Sequence, residues 1–305
     1  MNDTARSRSK RIHSAAFSLV AAGATLFVCL MILLIVVNIL VNGLPFLSWR
    51  LISGGMAGDM FDIQTAGLFP MIFGTAALVM LMTVFVMPVG VATAIYLHEY
   101  ARPDSIRTRI IRTAINNLAG VPSIVFGLFG LGFFIYFIGG NLDRFLYDGR
   151  PVWGQPALLW ASLTMAALTL PVVIVAAEEA LRTVPHDLRE ASLALGATKL
   201  QTIGRVVLPR ALPGILTGAI LAVGRGAGEV APIMFTGAVF FMPGLPKAFS
   251  EQFMHLGYHI FILSTQSPDI ERTKPILYAA VMVLLLLTCL LNATAVLIRA
   301  RIQQR

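Results

Sequence analysis

The sequence predicts an all-α membrane protein with six transmembrane helices, on three observations. Apolar residues fill 57% of the 305 positions and charged residues only 12%, against about 25% charged in soluble domains. The apolar residues gather into six runs long enough to cross a bilayer. The basic residues sit in short clusters beside those runs, as the positive-inside rule requires. A net charge of +8 would suit nucleic acid only as a continuous patch, so no nucleic-acid partner is expected. The two cysteines, Cys29 and Cys289, fall inside apolar runs, which indicates neither a disulfide framework nor a metal site.

The first run, about Ala15 to Val41, follows Arg6, Arg8, Lys10 and Arg11. It exceeds the roughly 7–15 residues of a signal-peptide core and lacks a small-residue cleavage site, so a first spanning helix with a cytoplasmic N-terminus is expected. Residues 42–66, with Pro45, Trp49, Arg50, Asp59 and Asp62, read as an external loop. Residues 1–66 are therefore an arm, a first helix and a loop preceding the main membrane domain, 67–297, and a cytoplasmic tail, 298–305. The second run, about Gly67 to Leu97, carries Pro88 as a place to kink. It ends at His98-Glu99-Tyr100, before a second basic cluster of Arg102, Arg107, Arg109 and Arg112.

The third run, about Thr113 to Gly139, holds Gly120 and Pro122 in its first half. A kinked packing helix is expected there, with Gly127, Gly130 and Gly132 admitting close neighbours; direct substrate contact is the alternative. Residues 140–156 read as a short external loop. The fourth run, about Ala157 to Ala180, contains Pro171 and ends at Glu178 and Glu179, where Glu178 can pair with Arg182 at a solvated helix end. The fifth and sixth runs, about Ala211 to Phe241 and Pro275 to Leu297, flank a longer external stretch, Met242 to Lys274. On this topology sixteen of the 23 Lys and Arg lie inside, six outside and Arg225 in the membrane, which places both termini in the cytoplasm.

Several motifs are weighed and set aside. His255 and His259 lie four apart but lack the Glu of an HExxH pair and a third ligand, so no metal is expected; an amphipathic helix on the outer membrane surface is. GRGAGE mimics part of a phosphate loop, yet no GxxxxGK[ST] exists, so the chain should bind no ATP or other cofactor itself. Gly214 and Gly218, like Gly224 and Gly228, are spaced to bring the fifth helix close to a neighbour.

Between the fourth and fifth runs lies a polar, basic island, 185–210. Leu188, Ala191, Ser192 and Leu195 fall on one helical face, Gly196 is a stop signal, and Thr198 can cap a second short helix that ends at Pro209. Two short helices around a glycine turn make a knob with one apolar side and a rim of Arg189, Glu190, Lys199, Arg205 and Arg210, suited to a groove on a partner. A plain solvated loop is the alternative. Glu190-Ala191-Ser192, three residues, Gly196, nine residues, Val206, one residue, Leu208-Pro209 resembles the EAA loop of ATP-binding-cassette (ABC) importer permeases. The pattern there is E-A-A-x3-G-x9-I-x-L-P, and the departures, Ser192 and Val206, are mild. The resemblance implies a type I ABC importer permease fold and a cytoplasmic coupling loop at 185–210 that seats on a nucleotide-binding subunit, where ATP-Mg is bound.

Arg225 and Glu229 stand in the middle of the fifth run. A central arginine costs about 2.5–3.5 kcal/mol on insertion scales, while each neighbouring Leu, Ile or Val returns only about 0.3–0.6, so the pair needs a reason. At i and i+4 the two share a helix face and can neutralise one another. The functional reading is an anion path, because guanidinium presents a planar fork to a tetrahedral oxyanion; a structural ion pair is the rival.

ILAVGRGAGEVAPIMFTGA resembles the fifth-helix segment of PstA-type permeases of bacterial phosphate importers, with Arg225, Gly228, Glu229, Ala231, Pro232, Phe235 and Thr236 matching. AGVPSIVFGLFGL is similar to their third-helix region, and the resemblance covers roughly 67–297. It implies passage of phosphate past Arg225 in the bacterial inner membrane, with a sister permease of PstC type, two nucleotide-binding ATPase subunits and a periplasmic phosphate-binding protein as partners beside membrane lipid. A permease for sulfate, molybdate or phosphonate remains open, as does a membrane anchor or sensor that transports nothing. A secondary transporter is disfavoured by the lack of repeated halves.

Overall fold

A computed structural model describes residues 2–56, 58–102 and 104–303, with side chains between Phe17 and Ile302. The side chains of the N-terminal cluster Arg6, Arg8, Lys10 and Arg11, and the tail's Arg305, lie outside the described residues. Among the described residues six helical stretches are long and apolar enough to cross a membrane: Phe17–Phe46, Phe69–Tyr100, Ser123–Leu146, Leu158–Arg182, Lys199–Gly228 and Ile270–Ile302. They are called the first to sixth spans.

The fourth span is the most enclosed, with the second and fifth packed along it. Lipid tails are as apolar as leucine, so close backbone approach, rather than exclusion of water, holds such helices together. The glycines show where. A Cβ on Gly90 would meet Val173 Cγ1 at 2.6 Å, and on Gly214 or Gly218 it would meet Ala180 or Ala176 at 2.5 or 2.8 Å. Gly127 lies against Pro232 and Phe235, and Gly130 against Thr164 and Thr236, so the third span is joined to the segment after the fifth. Hydroxyls buried among these helices are satisfied by their own ladders: Ser162, Thr164 and Thr169 donate to carbonyls one turn back.

Several boundaries differ from the sequence reading. Gly120 and Pro122 do not kink a packing helix; they separate two helices. Ile106–Ala119 ends at Gly120, and Pro122 caps Ser123–Phe129, because proline disfavours the helical conformation of the residue before it. Gly120 and Pro122 are exposed, with nothing but the carbonyl of Asn117 near a Cβ at Gly120. The third span runs on to Leu146, and Asp143, expected in an external loop, is buried. Its carboxylate accepts from the backbone N–H groups of Val152, Trp153 and Gly154 at 3.0, 2.8 and 2.7 Å, and so folds residues 147–154 back over the helix end.

Part of the stretch between the last two spans is built into the core rather than lying on the surface. Ala238–Val239 and Phe253–Met254 pair as two short parallel strands, and Leu256–Thr265 forms a helix. Met254, Leu256 and Leu263 pack with Leu68, Met71, Ile276 and Ala280 into a separate core. Gly74 makes room for it: a Cβ there would lie 2.1 Å from the carbonyl oxygen of Met254. Leu256 N–H donates to Thr75 Oγ1 at 3.0 Å. His255 and His259 are therefore buried, at 1% and 2% exposed, not arrayed on a membrane-surface helix. Burial without a charged partner pushes their imidazoles down to about 3 and about 4.

Candidate functional site: coupling loop and charged pair

The loop between the fourth and fifth spans starts with one free-standing helix, His186–Ala194, behind Pro185. Gly196 adopts φ +86°, with its N–H bonded to Leu193 O at 2.9 Å and that of Ala197 to Ser192 O at 3.2 Å. Those two bonds are a Schellman stop, in which glycine carries the left-handed residue without steric cost. Thr198 then caps the next turn through a reciprocal box with Gln201, at 3.3 and 2.9 Å. Ser192 Oγ and Thr202 Oγ1, 2.9 Å apart, tie the two pieces together, which gives the serine that replaces the second alanine of the motif a structural part.

The second piece does not stop at Pro209. Lys199–Thr202 continues through a π turn, Ile203–Val207, directly into the helix Leu208–Gly228, so it is the first part of the fifth span. The wider turn shifts the bonding register just before Pro209, whose missing N–H would otherwise interrupt the ladder. The apolar face also differs in membership. Leu188 packs inward, while Leu193, Leu195 and Leu200 stand out from the protein at 48%, 90% and 73% exposure, beside exposed Glu190 and Ala191. Glu190 Oε1 lies 3.1 Å from His186 Nδ1 on the rim. Leu208 is half-buried and Pro209 exposed at the foot of the fifth span.

Below the loop is a charge network that sequence reasoning missed. Arg189 donates to Glu99 Oε1 at 3.0 and 3.1 Å and to the carbonyls of Leu181 and Val184 at 2.9 and 2.6 Å. Lys199 Nζ donates to the carbonyl of Glu99 and lies 4.8 Å above the Tyr100 ring. Glu178, taken as solvated, is instead buried, with Arg112 Nη1 2.7 Å from Oε1, though not at hydrogen-bonding geometry, and Arg182 at 3.9 Å. Glu99 and Arg189 are ninety positions apart, so no local spacing could have paired them.

Arg225 does not sit mid-helix. It occupies the last turn of Leu208–Gly228, where the exposed carbonyls of a helix end favour a cation. Glu229 follows in extended conformation, φ −79° and ψ 131°, before a short helix, Ala231–Thr236. The pair thus closes across a helix end, with Arg225 Nε donating to Glu229 Oε1 at 3.3 Å. Arg225 shares an open side with Leu221 and Gly228, and a Cβ on Gly228 would touch nothing. Among the candidate packing glycines, Gly214 and Gly218 face the fourth span, whereas Gly120 meets only its own helix at the Asn117 carbonyl and Gly228 has open space. A guanidinium 39% exposed on an apolar bundle would be costly against lipid, so this side of the fifth span fits a water-lined path or another subunit. Among the described residues no three His, Cys, Asp or Glu converge as a metal site.

Residues 86–305 match the family described as binding-protein-dependent transport system inner membrane component. The chain is 39% identical over 202 residues to the probable ABC transporter permease protein YqgI of Bacillus subtilis, covering 65% of this chain and 61% of that one. It is 36% identical over 179 residues to phosphate transport system permease protein PstA 1 of Mycobacterium tuberculosis strain H37Rv, covering 59% and 53%. The matched region thus spans less than two thirds of either relative. Among solved structures, a bacterial alginate ABC transporter in complex with an alginate pentasaccharide-bound periplasmic protein gives a TM-score of 0.62 at 16% identity, over 89% of this chain and 91% of that one. The MetNI methionine ABC transporter gives 0.57 at 19%, over 77% and 95%. At such identities the likeness is one of fold, that of ABC importer permeases. The family match extends from within the second span to the end of the chain and takes in both the coupling loop and the charged pair: the protein belongs to the binding-protein-dependent transport system inner membrane component family, as a multi-pass membrane protein.

Proposed function

We propose that the chain is the permease subunit of an ATP-driven importer for inorganic phosphate, forming half of the translocation path and catalysing no reaction itself. The observation that carries the substrate is Arg225, a half-exposed guanidinium at a helix end with Glu229 as its partner at 3.3 Å. Burying a phosphate ion without a partner costs several kcal/mol even after relaxation. A fixed guanidinium lowers that barrier, and a competing carboxylate keeps the anion from being held too tightly to leave. Phosphate then replaces Glu229 at Arg225, and Glu229 returns as the anion departs. The PstA relative's name points to the same substrate.

The exposed leucines of the coupling loop support docking on a separate ATPase, which would hold ATP-Mg. A sister permease of PstC type, two ATPase subunits and a periplasmic phosphate-binding protein complete the proposed assembly, with both termini and residues 185–210 in the cytoplasm. The test is uptake of labelled phosphate by vesicles holding the assembled complex, with and without ATP, against excess sulfate or molybdate. ATP-dependent uptake that sulfate and molybdate leave unchanged is expected. Uptake of one of those anions in place of phosphate, or ATPase binding without any uptake, would contradict the assignment.

A further inference from the structure

We propose that Glu99 is a positioning residue that bolts the coupling loop to the second span, so that the second and fifth spans carry the loop's displacement to Arg225 as one body. The inference rests on the transport reading above and adds a mechanical route to it. Both pieces of the loop grip Glu99. Arg189, on the first helix, binds the Glu99 carboxylate through two nitrogens, and Lys199, at the start of the fifth span, binds the Glu99 carbonyl and covers Tyr100. The Glu99 and Arg189 side chains are only 9% and 12% exposed, unlike the rim pair His186–Glu190 at 77% and 68%. Water therefore competes weakly for the former and freely for the latter. Arg189 is fixed from behind as well, since Nη2 also donates to the carbonyl of Leu181 near the end of the fourth span, and Nη1, the nitrogen that Glu99 leaves free, donates to that of Val184 just beyond it.

Glu99 and Tyr100 are the last two residues of a π turn, Tyr96–Tyr100, at the end of the second span. From there the helix runs back along the fourth span, touching Val173 at Gly90, and reaches the fifth span at Met82. A Cβ on Gly226 would lie 2.7 Å from Met82 Cε, so the two helices touch directly beside Arg225. Glu99 and Met82 are about 25 Å apart at 1.5 Å per helical residue. The fifth span is continuous from the loop to Arg225. Without the carboxylate clamp, a push on the His186–Ala194 helix would reach the second span only through the single Lys199 contact, and the fifth span could slip past the second at the Met82–Gly226 contact. With it, the two are displaced together, along with the end of the fourth span that Arg189 also holds, and the Arg225–Glu229 pair moves with them.

The test uses the whole complex in vesicles, in a background with Cys29 and Cys289 replaced and a reporter thiol introduced by Leu221→Cys, one turn before Arg225. ATP should change the rate of maleimide labelling at position 221 with Glu99 intact. Glu99→Gln should abolish that change and lower phosphate imported per ATP about tenfold, the factor that follows from losing one charge-assisted hydrogen bond, while Glu99→Asp restores most of both. If the Gln variant assembles poorly, Glu99→Cys with Arg189→Cys, bridged by a reducible bis-thiosulfonate linker, toggles the strut within one preparation. Phosphate per ATP should then rise on bridging and fall on reduction. An unchanged ratio in Glu99→Gln, a ratio indifferent to the bridge, or a double-cysteine chain unable to join its ATPase would each overturn the proposal. A wild-type complex that imports no phosphate, yet shows the ATP response at position 221 only with Glu99 intact, would instead remove the substrate and keep the strut.

Discussion

The coupling loop and the outer segment after Arg225 are both short, irregular connections between long helices, and they are built in opposite ways. Within itself the loop is shaped by local rules, a glycine at φ +86°, a Schellman stop and a capping box, each within six residues, and among distant residues it is anchored at Glu99 through Arg189 and Lys199. Leu193, Leu195 and Leu200 point out. The outer segment is held by distant contacts, with Leu256 bonded to Thr75 of the second span and Met254 against Gly74. Its histidines point in. A connection made from local signals can be displaced as a unit on the surface, whereas one woven into the core is fixed by whatever encloses it. The first suits a surface that the proposed ATPase would displace, the second a fixed support.

The largest effect is expected where the outer segment meets the second span. Gly74→Val would drive a side chain into the Met254 carbonyl, a backbone atom that cannot step aside. It should cost about 3 kcal/mol, read as a fall in the thermal midpoint of the purified protein. A midpoint equal to wild type would break the contrast, for it would show the segment to be as loosely attached as a loop.

The next largest effect falls on the loop and should leave the rest of the protein intact. Nothing lies within 4 Å of a Cβ at Gly196, so the only penalty of a side chain is its positive φ. Gly196→Val should cost about 1–2 kcal/mol, localised to the turn, and weaken co-purification of the ATPase with no loss of overall thermal stability. Gly196→Asn should restore most association, since asparagine tolerates the left-handed region. Equal association in all three would remove the turn's part in docking.

The smallest effect separates the two regions by pH. The folded imidazoles of His255 and His259 stay neutral down to about 3 and about 4, while the unfolded chain takes up protons from the ordinary value of 6.5. Between those limits the unfolded state binds more protons, so stability is full above pH 6.5 and declines as pH falls below it. His259→Leu should flatten the decline in the thermal midpoint between pH 7 and pH 4.5. An unaltered slope would show that the buried site does not set it.

Legibility in the sequence followed the same division. The six spans and the loop were readable because apolar runs and the spacing from Glu190 to Pro209 are local properties. Gly196 was readable because one conformation demands it. Asp143, Glu178 and the two histidines were misread as exposed because an isolated polar residue does not disclose which helix will cover it. The Glu99–Arg189 clamp had no local signature at all. Arg225 and Glu229 were found by composition, yet the helix end that separates them was not, since GRGAGE continues an apolar run without a strong stop.

The central claim concerns Arg225 and is tested most directly by ATP-driven phosphate uptake in vesicles with variants at matched membrane levels. Arg225→Gln should nearly abolish uptake, and Arg225→Lys, which keeps the charge but loses the planar fork, should retain more of it. Glu229→Gln should slow release of phosphate more than its entry, and all three should assemble with the ATPase. Wild-type uptake by assembled Arg225→Gln would contradict the account, and failure of that variant to assemble would make the pair a structural one.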